Sequence, residues 1–265
     1  MIGQTKILEW IYANKENAPH FVVLIGSRGS GKRTLAQEMA KVWGCVYSET
    51  DIKVDNVREV IDSAYKSATK VMYCFADADS MRAEAKNAML KITEEPPVNA
   101  YFVMTVRDES SLLDTIKSRS QVFLMEGYNS EQLLAYAVGN YDSARKGHMG
   151  IIPKICATPG DIDLLYKHEV EPFYQFVNLV LENIATVEPA NAFKSAQKLA
   201  LKTDEGYDLE LFLKCVLAIL YRQGTKKAAD GICVTSRCLN KLQKVGVNKV
   251  QLYDSWVFDI RGEWV

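Results

Sequence analysis

No apolar run in the 265 residues approaches the roughly 18 needed to cross a membrane, so no membrane role is expected. Histidine is scarce, with only His20, His148 and His168, and no two of the six cysteines stand in a CxxC pair. Zinc sites draw on paired close ligands of these two kinds, so neither zinc nor another structural metal is expected. Cys45, Cys74, Cys156, Cys215, Cys233 and Cys238 are scattered, and the stretch MIGQTKILEWIYANKEN carries no signal-peptide pattern. Together these features read as reduced thiols in a cytoplasmic protein. An excess of one charge is missing too: 32 Lys and Arg stand against 33 Asp and Glu, a net charge of -1. With that balance a strong independent grip on nucleic acid is not expected, although the sum leaves room for a local basic patch, and any DNA contact is expected to be shared with partners. No repeat or low-complexity segment stands out. The most telling absence is a single hydroxyl: after GSRGSGK at residues 26–32, Arg33 stands where a Ser or Thr would complete a Walker A motif.

What is present is an ordinary globular balance, 48% hydrophobic and 25% charged, in a length that suits one large domain or two to three small ones. Ile7, Leu8, Ile11 and Tyr12 fall at helical spacing, and Phe21 to Ile25 form an apolar run that ends at Gly26. After Lys32, the positions of Leu35, Met39 and Val42 place one apolar face on a helix. Further apolar runs at Val71 to Phe75, Tyr101 to Val106 and Val122 to Met125 alternate with helical patterns, which predicts an α/β fold with a mainly parallel sheet. From about Asn129 helical patterns dominate: Gln132 to Val138, Phe173 to Ile184, Ala190 to Leu201, Leu209 to Tyr221 and Thr235 to Val245, with Ala157 to Asp161 read as a turn.

Strand before and helix after make the glycine-rich segment a phosphate loop in which Gly26, Gly29 and Gly31 allow tight turning and exposed N–H groups attract an anion. Lys32 would reach terminal phosphates. Gly26, Gly29, Ser30, Gly31, Lys32, Arg33 and Thr34 are the candidate nucleotide-binding residues. Thr34 does not replace the missing hydroxyl, because one helical step turns a side chain by roughly 100°. A guanidinium at about 4 Å from a divalent ion, with an effective dielectric of ~20, would meet repulsion of several kcal/mol. Arg33 therefore either confronts the metal position or swings to solvent, and the metal loses a ligand in both cases.

Hydrolysis would also need an Asp to hold magnesium and an acid to polarise water at a neighbouring strand end. The run Val71 to Phe75 is followed by Ala76-Asp77-Ala78-Asp79. In one register Ala76 replaces the metal-binding Asp and Asp77 the catalytic acid; in the other Asp77 is the ligand and Ala78 stands at the base position. Asp77 is the catalytic candidate of this strand, whereas Asp79 reads as an N-cap or first-turn acid of the next helix.

Residues 80–97, SMRAEAKNAMLKITEEPP, place Met81, Ala85, Ala88, Met89 and Ile92 on one helical stripe that stops at Pro96-Pro97. The letters NAMLKITEEPP resemble the segment after the Walker B strand in bacterial clamp-loader subunits, and LLDTIKSRSQVF at 112–123 resembles their Ser-Arg-Cys element, with Ser118 and Arg119 kept and Ser120 in place of the cysteine. IGQTKILEWI and IKVDNVREV at 52–60 are similar to the same AAA+ subgroup, and within it to the delta-prime type, whose nucleotide site is often degenerate. The resemblance is dense over residues 1–125 and thin beyond. It departs at Arg33, at Ala76, at Asp163 in place of a phosphate-sensing arginine, and in the short spacing from Gly44 to Lys70, which leaves no room for a four-cysteine zinc module.

The resemblance implies an AAA+ sheet domain over 1–127, a small helical lid over 128–168 and a helical oligomerisation collar over 169–265. It further implies a subunit of a hetero-oligomeric ring that helps load a sliding clamp on primed DNA, with partners in the other loader subunits, the clamp and, through the complex, DNA. Arg119 would be donated in trans to nucleotide on a neighbour, while this chain binds ATP or ADP weakly, with little dependence on magnesium and little or no hydrolysis of its own. Two other readings stay open: an active ATPase of the same family, and a non-replicative AAA+ adaptor or scaffold.

Overall fold

The computed structural model describes residues 2–142, 150–185, 189–195, 198–201, 206–244 and 246–264. His148, within the expected lid, and Val245, at the end of an expected helix, lie outside the described residues. The chain divides into two units, Met1–Tyr128 and Asn129–Val265.

The first unit alternates helix and strand: α1 (Thr5–Ala13), β1 (Phe21–Ile25), α2 (Lys32–Val42), β2 (Val46–Thr50), α3 (Val54–Lys66), β3 (Val71–Phe75), α4 (Ala83–Glu94), β4 (Ala100–Val106), α5 (Asp114–Lys117) and β5 (Gln121–Leu124). The five strands form one sheet in the order β2-β3-β4-β1-β5, and every pairing is parallel. Side chains of a strand point alternately to the two faces, and the central strands β1, β3 and β4 are apolar on both. Val23, Ile25, Phe75, Phe102 and Met104 pack with Val57, Ile61, Met89 and Ile92 of α3 and α4. Val22, Leu24, Met72, Cys74 and Val103 pack on the opposite face with Ile7, Ile11, Leu35 and Met39 of α1 and α2. Phe102 lies at the centre of the first face, stacked on Phe21, Tyr73 and Phe75 at centroid distances of 6.0, 5.6 and 6.5 Å.

The parallel α/β architecture is the one the sequence predicts, with one strand more. β2 escapes an apolar-run search because it is an edge strand, paired only with β3, with Val46 63% exposed. The mixed letters VYSET suit a position that does not need to be apolar on both faces.

The second unit contains, among the described residues, α6 (Ser130–Asn140), α7 (Ile152–Ile155), α8 (Pro159–Lys167), α9 (Val170–Ala185), α10 (Pro189–Ser195), α11 (Leu209–Gln223), α12 (Lys226–Leu242) and α13 (Lys249–Trp264). Phe176, Phe212, Tyr253 and Trp256 form its aromatic centre, and the Trp256 indole N–H donates to the Thr235 hydroxyl at 3.1 Å. Two expectations need correction. Residues 157–161 are not a free turn, because Thr158 caps α8 in a reciprocal box with Asp161 and Pro159 takes the first turn, where its missing N–H costs nothing. Among the described residues the helix expected over 190–201 covers Pro189–Ser195, and Leu199 is not helical but makes a parallel bridge to Tyr207.

No described helix is long and apolar enough to cross a membrane.

Candidate functional site

The phosphate loop runs from the end of β1 to the start of α2, and its glycines are needed for different reasons. At Gly26 a Cβ would stand 2.8 Å from the Met125 Cβ, so only glycine lets the segment after β5 lie against the loop. Gly29 and Gly31 have φ of 76° and 87°, the left-handed region where a side chain is strained. The Ser30 hydroxyl is buried with no hydrogen-bond partner among the described residues, while its carbonyl accepts from the Tyr128 hydroxyl at 2.7 Å. Gln4 secures the same segment: its amide donates to the Glu126 carbonyl at 2.8 Å and accepts from the Glu126 N–H at 2.9 Å.

Lys32, 7% exposed, donates to the carbonyls of Gly26 at 2.6 Å and Ser27 at 2.9 Å. Burial pushes its ammonium below the ordinary lysine value; the carboxylates of Asp77 and Asp79 oppose this, and the charges of Arg107 and Arg33 add to it. Thr34 is exposed on the first turn of α2.

Arg33 lies half exposed against the acidic strand end, between its two expected courses. Its Nη2 donates to Asp77 at 2.9 Å and its Nε lies 3.4 Å from Glu49 of β2, so the guanidinium spans two carboxylates at the open end of the sheet. Asp77 adopts a left-handed conformation, φ 52°, which Asp tolerates better than most residues, and its N–H donates to the buried Thr105 hydroxyl at 3.0 Å. In either register, the Asp77 carboxylate is engaged by a fixed cation. A divalent ion bound there would have to displace that cation from Asp77 and accept its repulsion. No group of three or more potential metal ligands occurs among the described residues. The loop itself, with Lys32 and the N-terminus of α2, retains the chemistry of an anion cradle.

Asp79 is not the cap of α4. It stands in the first turn of a 3-10 segment, Ala78–Ser80, and accepts the backbone N–H of Arg107 at 2.8 Å, tying the end of β3 to the end of β4. Sequence reading missed Glu49, Thr105, Gln4 and Tyr128; of these only Gln4 lies in a segment that carries the resemblance, IGQTKILEWI, and there it has no assigned role. Alternation in VYSET after Gly44 was the available signal for Glu49.

Arg119 is bonded to a different set of residues. It follows α5, is 41% exposed at its side chain, and its Nη2 lies 3.3 Å from the Glu94 carboxylate at the end of α4. Its Nη1 donates to the Thr115 carbonyl at 3.2 Å. In the second unit, Asp163 accepts from the hydroxyls of Tyr136 at 2.9 Å and Tyr141 at 2.8 Å, so the carboxylate in the expected sensing position is held by phenols.

Residues 46–129 match the family model described as DNA polymerase III, delta subunit. The chain is similar to DNA polymerase III subunit gamma of Buchnera aphidicola, 27% identical over 148 residues that cover 44% of this chain and 41% of that protein. It is 40% identical over 85 residues to subunit delta-prime of Haemophilus influenzae, covering 31% of this chain and 26% of that protein. The matched segments thus span about two fifths or less of those relatives. Among solved structures, a DNA polymerase III gamma subunit-related protein of Thermotoga maritima is 18% identical with a TM-score of 0.56, covering 97% of this chain and 99% of that one. A RuvB mutant from the same organism gives 0.55 at 17% identity, covering 96% and 88%. These likenesses carry the AAA+-type fold across nearly the whole chain, and the sequence relationship through the segment that contains Asp77 and Arg119.

Proposed function

We infer that this chain, delta-prime-like in its sheet unit and related to the clamp-loader subunits of DNA polymerase III, helps load a sliding clamp on primed DNA without relying on hydrolysis at its own loop. In this reading, residues 1–127 form the AAA+ domain, 128–168 a helical lid and 169–265 a collar that joins a hetero-oligomeric ring in the cytoplasm. Arg119 is lent to nucleotide bound by a neighbouring subunit, where a guanidinium can donate two charge-assisted bonds to phosphate oxygens.

The observation that carries the reading is the engagement of Arg33 between Glu49 and Asp77. It occupies the two acidic groups best placed to serve magnesium and a water nucleophile. Lys32 and the loop amides are left to hold ADP or ATP weakly, with little gain from magnesium. Arg119 carries no such commitment to its chain's own site.

The test is ATP turnover by the source organism's clamp-loader ATPase subunit with clamp and primed DNA, adding this protein or its Arg119→Ala form. Strong stimulation by the first and its loss with the second supports donation in trans. Substantial magnesium-dependent turnover by this chain alone would instead favour an active ATPase. Failure to associate with any loader subunit would favour an adaptor.

A further inference from the structure

Arg119 sits on an unusually well-anchored base for an exposed side chain. The Lys86 ammonium of α4 donates to the Ser111 carbonyl, the Lys117 ammonium pairs with Glu109, and the Tyr65 hydroxyl of α3 donates to the Glu95 carbonyl at 2.9 Å. Two separate elements then hold the guanidinium: Thr115 of α5 through its carbonyl and Glu94, the last residue of α4, through its carboxylate. A guanidinium is planar, so fixing two of its nitrogens fixes the plane that presents the remaining donors.

Glu94 stands at a helix C-terminus, where unsatisfied carbonyls give a partial negative charge and a carboxylate is poorly placed. A nearby cation relieves that placement, which gives Glu94 its own reason to hold Arg119. The pair is exposed on both sides, 41% and 58%, so it adds little to folding stability. These properties suit a group that sets orientation and makes no claim on the final contact.

We propose that Glu94 is the positioning residue for Arg119, holding the guanidinium in the orientation in which it meets the phosphate of a neighbouring subunit. The proposal rests on the reading that Arg119 is donated in trans. Glu94 touches no substrate and acts through Arg119 alone. Its loss should therefore slow the stimulated step and leave the neighbour's affinity for ATP as it was.

The experiment measures kcat and KM for ATP of the partner ATPase subunit with clamp and primed DNA, adding the full-length protein or its Glu94→Ala, Glu94→Asp, Glu95→Ala and Arg119→Ala forms, with a thermal melt of each. Glu94→Ala should lower kcat about three- to five-fold, the upper range for an exposed pair, at unchanged KM and unchanged melting temperature. Glu94→Asp should restore most of the loss, and Glu95→Ala should match the parent. Full stimulation by Glu94→Ala alongside a dead Arg119→Ala overturns the positioning role and leaves donation intact. An equal loss with Glu95→Ala, or a change in KM alone, also overturns it. Full stimulation by Arg119→Ala removes the donated arginine itself, and the proposal with it.

Discussion

Lys32 and Arg33 at the loop and Arg119 after α5 are all cations in positions suited to phosphate, yet they differ in what already holds them. Lys32 is buried on two carbonyls of its own loop, and Arg33 spans two carboxylates. Arg119 has one exposed carboxylate, the Thr115 carbonyl and, at 3.5 Å, the Ser118 hydroxyl. All three ion pairs are about half exposed and screened, so the contrast lies in number: Arg33 must leave two carboxylates to serve a ligand and Arg119 only one. On the proposed function, that difference is what would let one chain retire its own site while keeping a group to lend.

The most forceful way to break the contrast is Arg119→Ala, which should reduce the partner's stimulated turnover by about 10³-fold if the arginine acts as fingers do in related enzymes. Next is Arg33→Thr, which frees Glu49 and Asp77 and restores a hydroxyl. A magnesium-dependent gain in nucleotide affinity of roughly ten-fold, read by titration with and without the metal, is expected from one recovered charge-assisted contact. An unchanged affinity would mean that Arg33 is not what closes the metal position. A smaller effect tests the frame around the loop: Tyr128→Phe removes the bond to the Ser30 carbonyl and should lower stability by about 1 kcal/mol in denaturant unfolding. Lys32→Ala sharpens the comparison from the other side, because the partner's stimulated turnover should not change if the chain's own loop is dispensable.

The pH response should be smaller still near neutrality. Burial pushes the thiols of Cys74 up to about 11 and of Cys215 and Cys238 up to about 12, from an ordinary 9.0. The folded chain holds these protons where the unfolded chain would release them. Their contribution to stability is fully present below pH 9 and is lost as pH rises through 11 to 12. Unfolding midpoints measured from pH 7 to 10 should begin to fall only above 9.

Much of the sheet unit was legible because its central strands are apolar on both faces and announce themselves as runs such as FVVLI and YFVMTV. The loop was legible from its glycine spacing. What escaped was set by position in the sheet. Glu49 lies on the one strand whose edge place spares it an apolar run, so the second anchor of Arg33 was hidden with it. The proline of Pro159-Gly160 reads as a breaker in isolation, and only the reciprocal bonds of Thr158 and Asp161 make it a helix start. Helix α13 is a different case: Leu252, Tyr253, Trp256, Val257 and Ile260 are buried at helical spacing, a pattern fully readable from the letters but not among the expected helices.

The sheet order also has a consequence in time. β1 is the earliest strand of the sheet to be synthesised, yet its two neighbours are β4 and β5, which begin at Ala100 and Gln121. At ribosomal rates of roughly 5–20 residues per second, Phe21–Ile25 waits on the order of 4–15 s before the first of them exists. During that interval a fully apolar strand has neither edge covered. The nascent chain should be most exposed to aggregation, and most open to chaperone capture, between the emergence of β1 and that of β4.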